Sequence, residues 1–183
     1  MWVNGVLAFL LIADLISFVS IFFLILGLLA ILWVKVPFAP TPKAKIKEII
    51  DWFNVQPGQK FYDLGCGDGR FIIEAAKRGA HAIGFEISPW AFLKAKLNII
   101  LAKSPATLIF KNFYQVPVTD ADAVFCFLID KVMPKVENKL MAELKSGTKV
   151  ISYGFALPTW PPQQVLSSDP TRPTASKIYI YTK

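Results

Sequence analysis

The chain has 183 residues, 54% of them apolar, with 20 Lys and Arg against 13 Asp and Glu for a net charge of +7. That is enough for one ordinary domain and an appendage, while two cysteines, Cys66 and Cys126, and a lone His81 argue against a disulfide framework or a metal site. Arg occurs only at 70, 78 and 172, with no aromatic–basic alternation, so the excess charge does not mark a nucleic-acid face; beside a membrane segment it suits anionic lipid headgroups.

All 20 basic residues lie from Lys35 onward, and residues 1–34 hold a single charge, Asp14. Val6 to Val34 is nearly continuous apolar sequence, and Leu15 to Val34 alone makes about 30 Å of helix, the thickness of a bilayer core. A cleaved signal peptide is the rival reading. Against it stand the missing basic n-region, the length of the run, and Lys35-Val36-Pro37 in place of a small-residue cleavage site. The expectation is a membrane anchor over 1–34. Lys35, Lys43, Lys45 and Lys47 flank its C-terminal side, so the positive-inside rule places everything after it in the cytoplasm. Prolines 37, 40 and 42 make 35–42 a stiff connector, about 25 Å long even when extended. Thr41 caps, and Pro42 opens, the first helix of a folded domain over 43–183.

In that helix Ile46, Ile49, Ile50 and Phe53 share a face. Pro57-Gly58 turns into a strand that ends at Phe61-Tyr62-Asp63-Leu64, and Gly65, Gly67 and Gly69 follow within five residues. Glycine permits positive φ and leaves no Cβ, so a ligand can lie against the backbone at a helix start. Asp68 is placed to cap that helix, and Gly79 to stop it. A second strand, Ala82 to Ile87, carries Glu86 near its end, 23 residues after Asp63, where a doubly wound sheet holds a ribose-binding carboxylate. The spacing is G-x-G-x-G, unlike the G-x-G-x-x-G of dinucleotide enzymes.

Ser88-Pro89 starts a helix read with Trp90, Leu93, Leu97, Ile100 and Leu101 inward. Strands are expected at 106–110, 121–129, 148–153, 164–166 and 177–181, with a helix over 134–145 whose Val136, Leu140 and Leu144 face inward. This alternation reads as an α/β fold with a parallel sheet.

Asp63-Leu64-Gly65-Cys66-Gly67-Asp68-Gly69 and Gly84-Phe85-Glu86-Ile87-Ser88-Pro89 resemble the first and second motifs of the seven-strand S-adenosylmethionine-dependent methyltransferases. The apolar segment with Pro37-Phe38-Ala39-Pro40-Thr41-Pro42, the run Ala123 to Leu128, and Phe155-Ala156-Leu157-Pro158-Thr159-Trp160 resemble, more narrowly, the membrane-anchored protein-lysine methyltransferases of the adenine nucleotide translocase and ATP synthase subunit c. The sequence departs from the wider pattern at Cys66, where Ser is common, and at Asn112, where Asp is common.

The resemblance implies a Rossmann-like seven-strand methyltransferase sheet over 43–183 behind a transmembrane helix, with S-adenosyl-L-methionine as cofactor. Gly65, Gly67 and Gly69 then line its methionine part, Asp63 orients the amino group, Glu86 takes the ribose hydroxyls, Ile87 and Phe113 pack on the adenine, and Asn112 bonds its edge. The stretch Phe125, Cys126 to Asp130 ends the fourth strand, where ligands gather. With Tyr153 and Trp160 it supplies the candidate acceptor pocket, each aromatic having core packing as its other reading and Asp130 a helix cap. The implied partners are membrane lipid and a membrane-protein substrate, with no nucleic acid and no metal. A lipid or small-molecule acceptor, or a nucleotide-binding domain without catalysis, stands as the alternative.

Overall fold

The computed structural model describes residues 2–33 and 43–183. The connector read at 35–42, with its Thr41 cap and Pro42, lies outside the described residues. The chain divides into two compact units, Met1–Pro37 and Phe38–Lys183.

The first unit contains one helix, α1 (Trp2–Trp33), of 32 residues. Its stretch Phe9–Gly27 is long and apolar enough to cross a membrane by length and composition, and none of it is buried. The helix satisfies its own backbone, and the Ser20 hydroxyl donates back to the Ile16 carbonyl at 2.8 Å. That leaves few polar groups needing water.

The second unit runs α2 (Lys43–Phe53), β1 (Lys60–Leu64), α3 (Arg70–Lys77), β2 (His81–Glu86), α4 (Pro89–Leu101), β3 (Thr107–Phe110), β4 (Ala123–Cys126), α5 (Met133–Glu143), β5 (Lys149–Tyr153), β6 (Gln164–Ser167) and β7 (Lys177–Thr182). One seven-stranded sheet orders them β3-β2-β1-β4-β5-β7-β6. The first five strands are parallel; β7 runs antiparallel to β5 and β6. From β1 the chain builds outward through β2 and β3, then returns to β4 on the other side. This is the switch point where a crevice opens at the carboxyl ends of the strands.

Period-3.6 patterning sets one face of the sheet. Ile46, Ile49, Ile50 and Phe53 of α2 are buried with Phe71, Ile72 and Ala75 of α3 against Phe61, Phe125 and Ile151. On the other face α5 buries Met133, Val136 and Leu140 against Leu64, Val124, Cys126 and Val150. No helix stands between β5 and β6. The segment after Phe155 covers that flank instead: the Leu157 amide donates to the Tyr181 hydroxyl at 2.9 Å, and the Thr159 amide donates to the buried Glu137 carboxylate at 2.9 Å. Lys139 is also buried, and fully partnered: it pairs with Glu143 and donates to the Val116 carbonyl at 2.7 Å, while Glu143 accepts from the Val118 amide.

Three expectations are corrected. Trp90, Leu93, Leu97, Ile100 and Leu101 form the outward face of α4, because the helix packs through its small residues, Ala91 and Ala95. A Cβ on Gly69 would lie 3.2 Å from that of Ala95, so the close approach needs small side chains on both sides. Asp68 does not cap α3: Gly69 holds the cap position at φ 79° with no side-chain bond, and the Asp68 carboxylate pairs with Arg70. The fourth strand stops at Cys126, since the chain leaves the sheet for a 3₁₀ turn over Asp130–Val132.

Candidate active site

The candidate site is built on the turn between β1 and α3, at the switch point of the sheet. Gly65, Gly67 and Gly69 have φ of 87°, 55° and 79°, a region that strains any residue with a Cβ. The turn is tied down from within: the Gly65 and Cys66 amides donate to the Phe85 carbonyl at 3.0 and 2.8 Å, and the Gly69 amide to the Cys66 carbonyl at 2.9 Å. These amides are therefore spent on the fold, and what the glycines offer a ligand is cleared backbone surface. Cys66 is buried beneath the turn. Its side chain needs Gly84 below it, because a Cβ there would lie 2.7 Å from Cys66 Sγ and 2.9 Å from Ile72 Cδ1. Burial, then the charges of Asp63 and Glu86, pushes the Cys66 thiol far up, so it stays neutral and inert.

Asp63, one residue before the end of β1, is buried, and its Oδ2 has no hydrogen-bond partner. Burial, then the nearby Glu86 and Asp68 charges, raises its carboxyl well above the usual carboxylate range. An unmet buried oxygen costs about 1–3 kcal/mol, and a cationic donor brought by a ligand would remove that cost. A group carrying an ammonium beside a chain that lies on the glycine turn fits this site.

Glu86 does more than the sequence implies. Its Oε2 accepts from the Gly67 amide at 2.9 Å, and its Oε1 accepts from the Ile87 and Ser88 amides, each at 2.8 Å. The carboxylate thus joins the glycine turn to the start of α4, which Ser88 caps through the Ala91 amide. Each carboxylate oxygen has more than one lone pair, so further donors can still be accepted. At the same end of the sheet Ile87 is exposed, and Asn112 Oδ1 caps the 3₁₀ turn Phe113–Gln115 through the Tyr114 amide at 3.1 Å. The Asn112 NH₂ group is not used in that cap.

The acceptor candidates separate. Phe125 is core, stacked on Phe71 with centroids 3.9 Å apart. Cys126 is fully buried on the opposite face, its thiol pushed up to about 12 by burial. Tyr153 is buried edge-on to Phe127 at 4.8 Å, and Gly154, φ 93°, makes room for the same ring. Trp160 is brought elsewhere. It packs on Tyr181, the register partner of Val150 near the start of β5, and so lies away from the carboxyl ends. Asp130 is exposed, begins its 3₁₀ turn and makes no cap bond. Within the stretch read at the end of the fourth strand, Leu128 and Phe127 are the residues brought against the turn and against Gly154, a glycine that sequence reading missed. A Cβ on Gly65 would meet Leu128 Cδ2 at 3.0 Å, so β4's exit forms the far wall of the glycine turn. The signals were Gly84 inside a strand and Gly154 at a strand end. Among the described residues no group of three or more His, Cys, Asp or Glu is placed to hold a metal ion.

Residues 63–164 match the ANTKMT methyltransferase domain. A protein-lysine N-methyltransferase of Saccharolobus islandicus is 34% identical over 150 residues, covering 80% of this chain and 92% of its own length. The mouse adenine nucleotide translocase lysine N-methyltransferase is 32% identical over 79% of this chain, which spans 64% of that enzyme. Among solved structures, an RNA methyltransferase of Salinibacter ruber in complex with S-adenosyl-L-homocysteine superposes with a TM-score of 0.72 at 28% identity, over 79% of this chain and 93% of that one. With the glycine turn, the unmet Asp63 and the seven-strand order all in place, the chain belongs to the ANTKMT methyltransferase domain family and is an S-adenosylmethionine-dependent methyltransferase.

Proposed function

We propose that this enzyme, anchored by α1 with its domain on the cytoplasmic side, methylates a lysine of a membrane protein. The observation that carries the acceptor class is the 34% identity to a relative named for protein-lysine methylation, across 92% of that relative. The membrane side rests on the apolar Phe9–Gly27 stretch and on lysines 35, 43, 45 and 47 beyond it. The mouse relative's name, with the adenine nucleotide translocase as substrate, supports the same acceptor class.

The roles proposed for single residues are those the resemblance implies, and the geometry is compatible with them. Gly65, Gly67 and Gly69 give the cofactor's methionine part a surface without Cβ atoms, and the Asp63 carboxylate takes its amino group. Glu86 adds the ribose hydroxyls to the amides it already holds. Ile87 and Phe113 supply apolar cover for the adenine, and the Asn112 NH₂ is free to donate to its edge. When bound there, S-adenosylmethionine would supply an electrophilic methyl carbon on a sulfonium, to which a neutral lysine amine would add its lone pair while the S–C electron pair stayed with sulfur and the surplus proton passed to water. A lysine begins with a pKa of about 10.4, so it must lose a proton first. Half-buried Phe127 and Ile129 give an apolar approach that favours the neutral amine, and Asp130 draws the incoming ammonium toward the end of β4.

Membranes containing the full chain, incubated with methyl-labelled S-adenosylmethionine and then separated into protein, lipid and nucleic-acid fractions, test this reading. Label in the protein fraction, released as methyl-lysine on hydrolysis, is expected. Label confined to lipid or nucleic acid overturns the lysine assignment.

A further inference from the structure

The face of α4 turned away from the sheet is unusual for a folded domain. Trp90, Leu93, Leu97, Ile100 and Leu101 form one stripe along it, each 55% to 75% exposed, and Phe110 on the edge strand β3 is exposed as well. The inner face is already satisfied: Ala91 and Ala95 are buried, and Phe92 meets Phe110 edge-on at 5.0 Å. So the stripe is not a displaced core face, and contiguous apolar surface of this kind marks an interaction site.

Charge says what covers it. From Ile87 to Thr119 the chain has no Asp or Glu and four lysines, Lys94, Lys96, Lys103 and Lys111. Lys94 reaches back to Asp68 at 3.8 Å; Lys96, Lys103 and Lys111 are exposed beside the stripe. Trp at one end, Leu and Ile along the middle and Lys at the margins is the composition of a helix that lies in a bilayer interface, its apolar side chains among acyl chains and its ammonium groups among anionic phosphates. A second protein surface would need acidic groups opposite these lysines, and a second copy of this stripe brings only more lysines.

We propose that the outward face of α4, extended by Phe110 and Lys111, docks on the anionic leaflet of the membrane. The inference rests on the anchored reading above and adds to it: α1 tethers the domain, and α4 sets which way it faces. Because α4 starts directly after Glu86 and Ile87, Trp90 stands at the cofactor end of the helix. Laying the stripe in the headgroup layer brings the mouth of the crevice to the bilayer surface, where a lysine flanking a transmembrane helix lies.

The test uses the full chain reconstituted into vesicles of phosphatidylcholine with or without phosphatidylglycerol. A nitroxide is attached at Leu97→Cys or, as a control on the other side of the sheet, at Asn138→Cys; the native Cys66 and Cys126 are buried. With phosphatidylglycerol, the label at 97 should relax severalfold faster with oxygen than with a water-soluble nickel chelate, and the label at 138 should show the reverse. Lys96→Gln, Lys103→Gln and Lys111→Gln together should lower the docked-to-undocked ratio by about a hundredfold. A label at 97 as open to nickel as that at 138, in a chain that resists alkaline carbonate, overturns the docking and leaves the anchor standing. A chain that carbonate washes off overturns both. A label at 97 shielded from both reagents means a protein contact and also overturns the docking.

Discussion

Asp63→Asn is the most informative single change. It keeps the shape of the side chain, removes its ability to become an anion and puts an NH₂ donor in place of one acceptor oxygen. In the structure the carboxylate is buried, one oxygen is unmet, and Glu86 and Asp68 stand near enough to raise its pKa. The sign of the linkage follows. A folded-state pKa above the unfolded value of about 3.9 means that the folded protein holds a proton that the unfolded chain releases. Stability is then full below the unfolded value and falls as pH rises through the raised folded value. Asn removes this loss, so the ligand-free variant should melt higher than the parent at neutral pH, and the gap should close in acid. Cofactor binding should move the other way. Losing a charge-assisted bond to the amino group costs about 1.5–3 kcal/mol, or roughly 10- to 150-fold in affinity for S-adenosylhomocysteine. Calorimetry in buffers of different ionisation heat supplies a third readout: the parent should release more protons on binding than the variant, since the ligand's ammonium drives Asp63 to its anion. A variant that binds as tightly as the parent, with the same proton release, would refute the role of this carboxylate.

Gly84→Ala should destabilise the domain by about 1–3 kcal/mol, because the new methyl collides with Cys66 and Ile72 and presses the glycine turn upward; thermal melting with and without cofactor reads both effects. Glu86→Gln should lower stability as well as affinity, since one amide among Gly67, Ile87 and Ser88 must lose its acceptor, at about 1–3 kcal/mol. Loss of affinity with unchanged melting would mean that its bonds to the backbone are dispensable. Trp160→Ala should cost about 2–3 kcal/mol and leave S-adenosylhomocysteine affinity unchanged, which titration calorimetry checks, because the ring packs on Tyr181.

Local chemistry was legible in the sequence. The turn glycines, the Ser88 cap with Pro89 behind it, and the inward faces of α2 and α5 follow from spacing alone, because each involves residues a few positions apart. The long-range features were not. In α4 both faces are apolar, so periodicity cannot say which turns inward, and the choice is made by the small, buried Ala91 and Ala95, the second of them against Gly69. Asp68 has the chemistry of a cap, but Gly69 takes the position and Arg70 takes the carboxylate. Trp160 looked like a pocket wall because it closes a motif. The chain from Phe155 instead runs back over the sheet to stand where a helix is missing, held by Tyr181 and Glu137. The second task of Glu86, holding three backbone amides, has no sequence signature.

The central claim is that the chain methylates a lysine on a membrane protein. Its most direct test is tandem mass spectrometry of membrane proteins from otherwise identical cells producing either the full chain or its Asp63→Asn variant. Methyl groups are expected on a lysine adjoining the cytoplasmic end of a transmembrane helix, present with the parent and depleted with the variant. Identical lysine methylation in the two membranes, with a methylated lipid or soluble metabolite as the only product that differs, would contradict it.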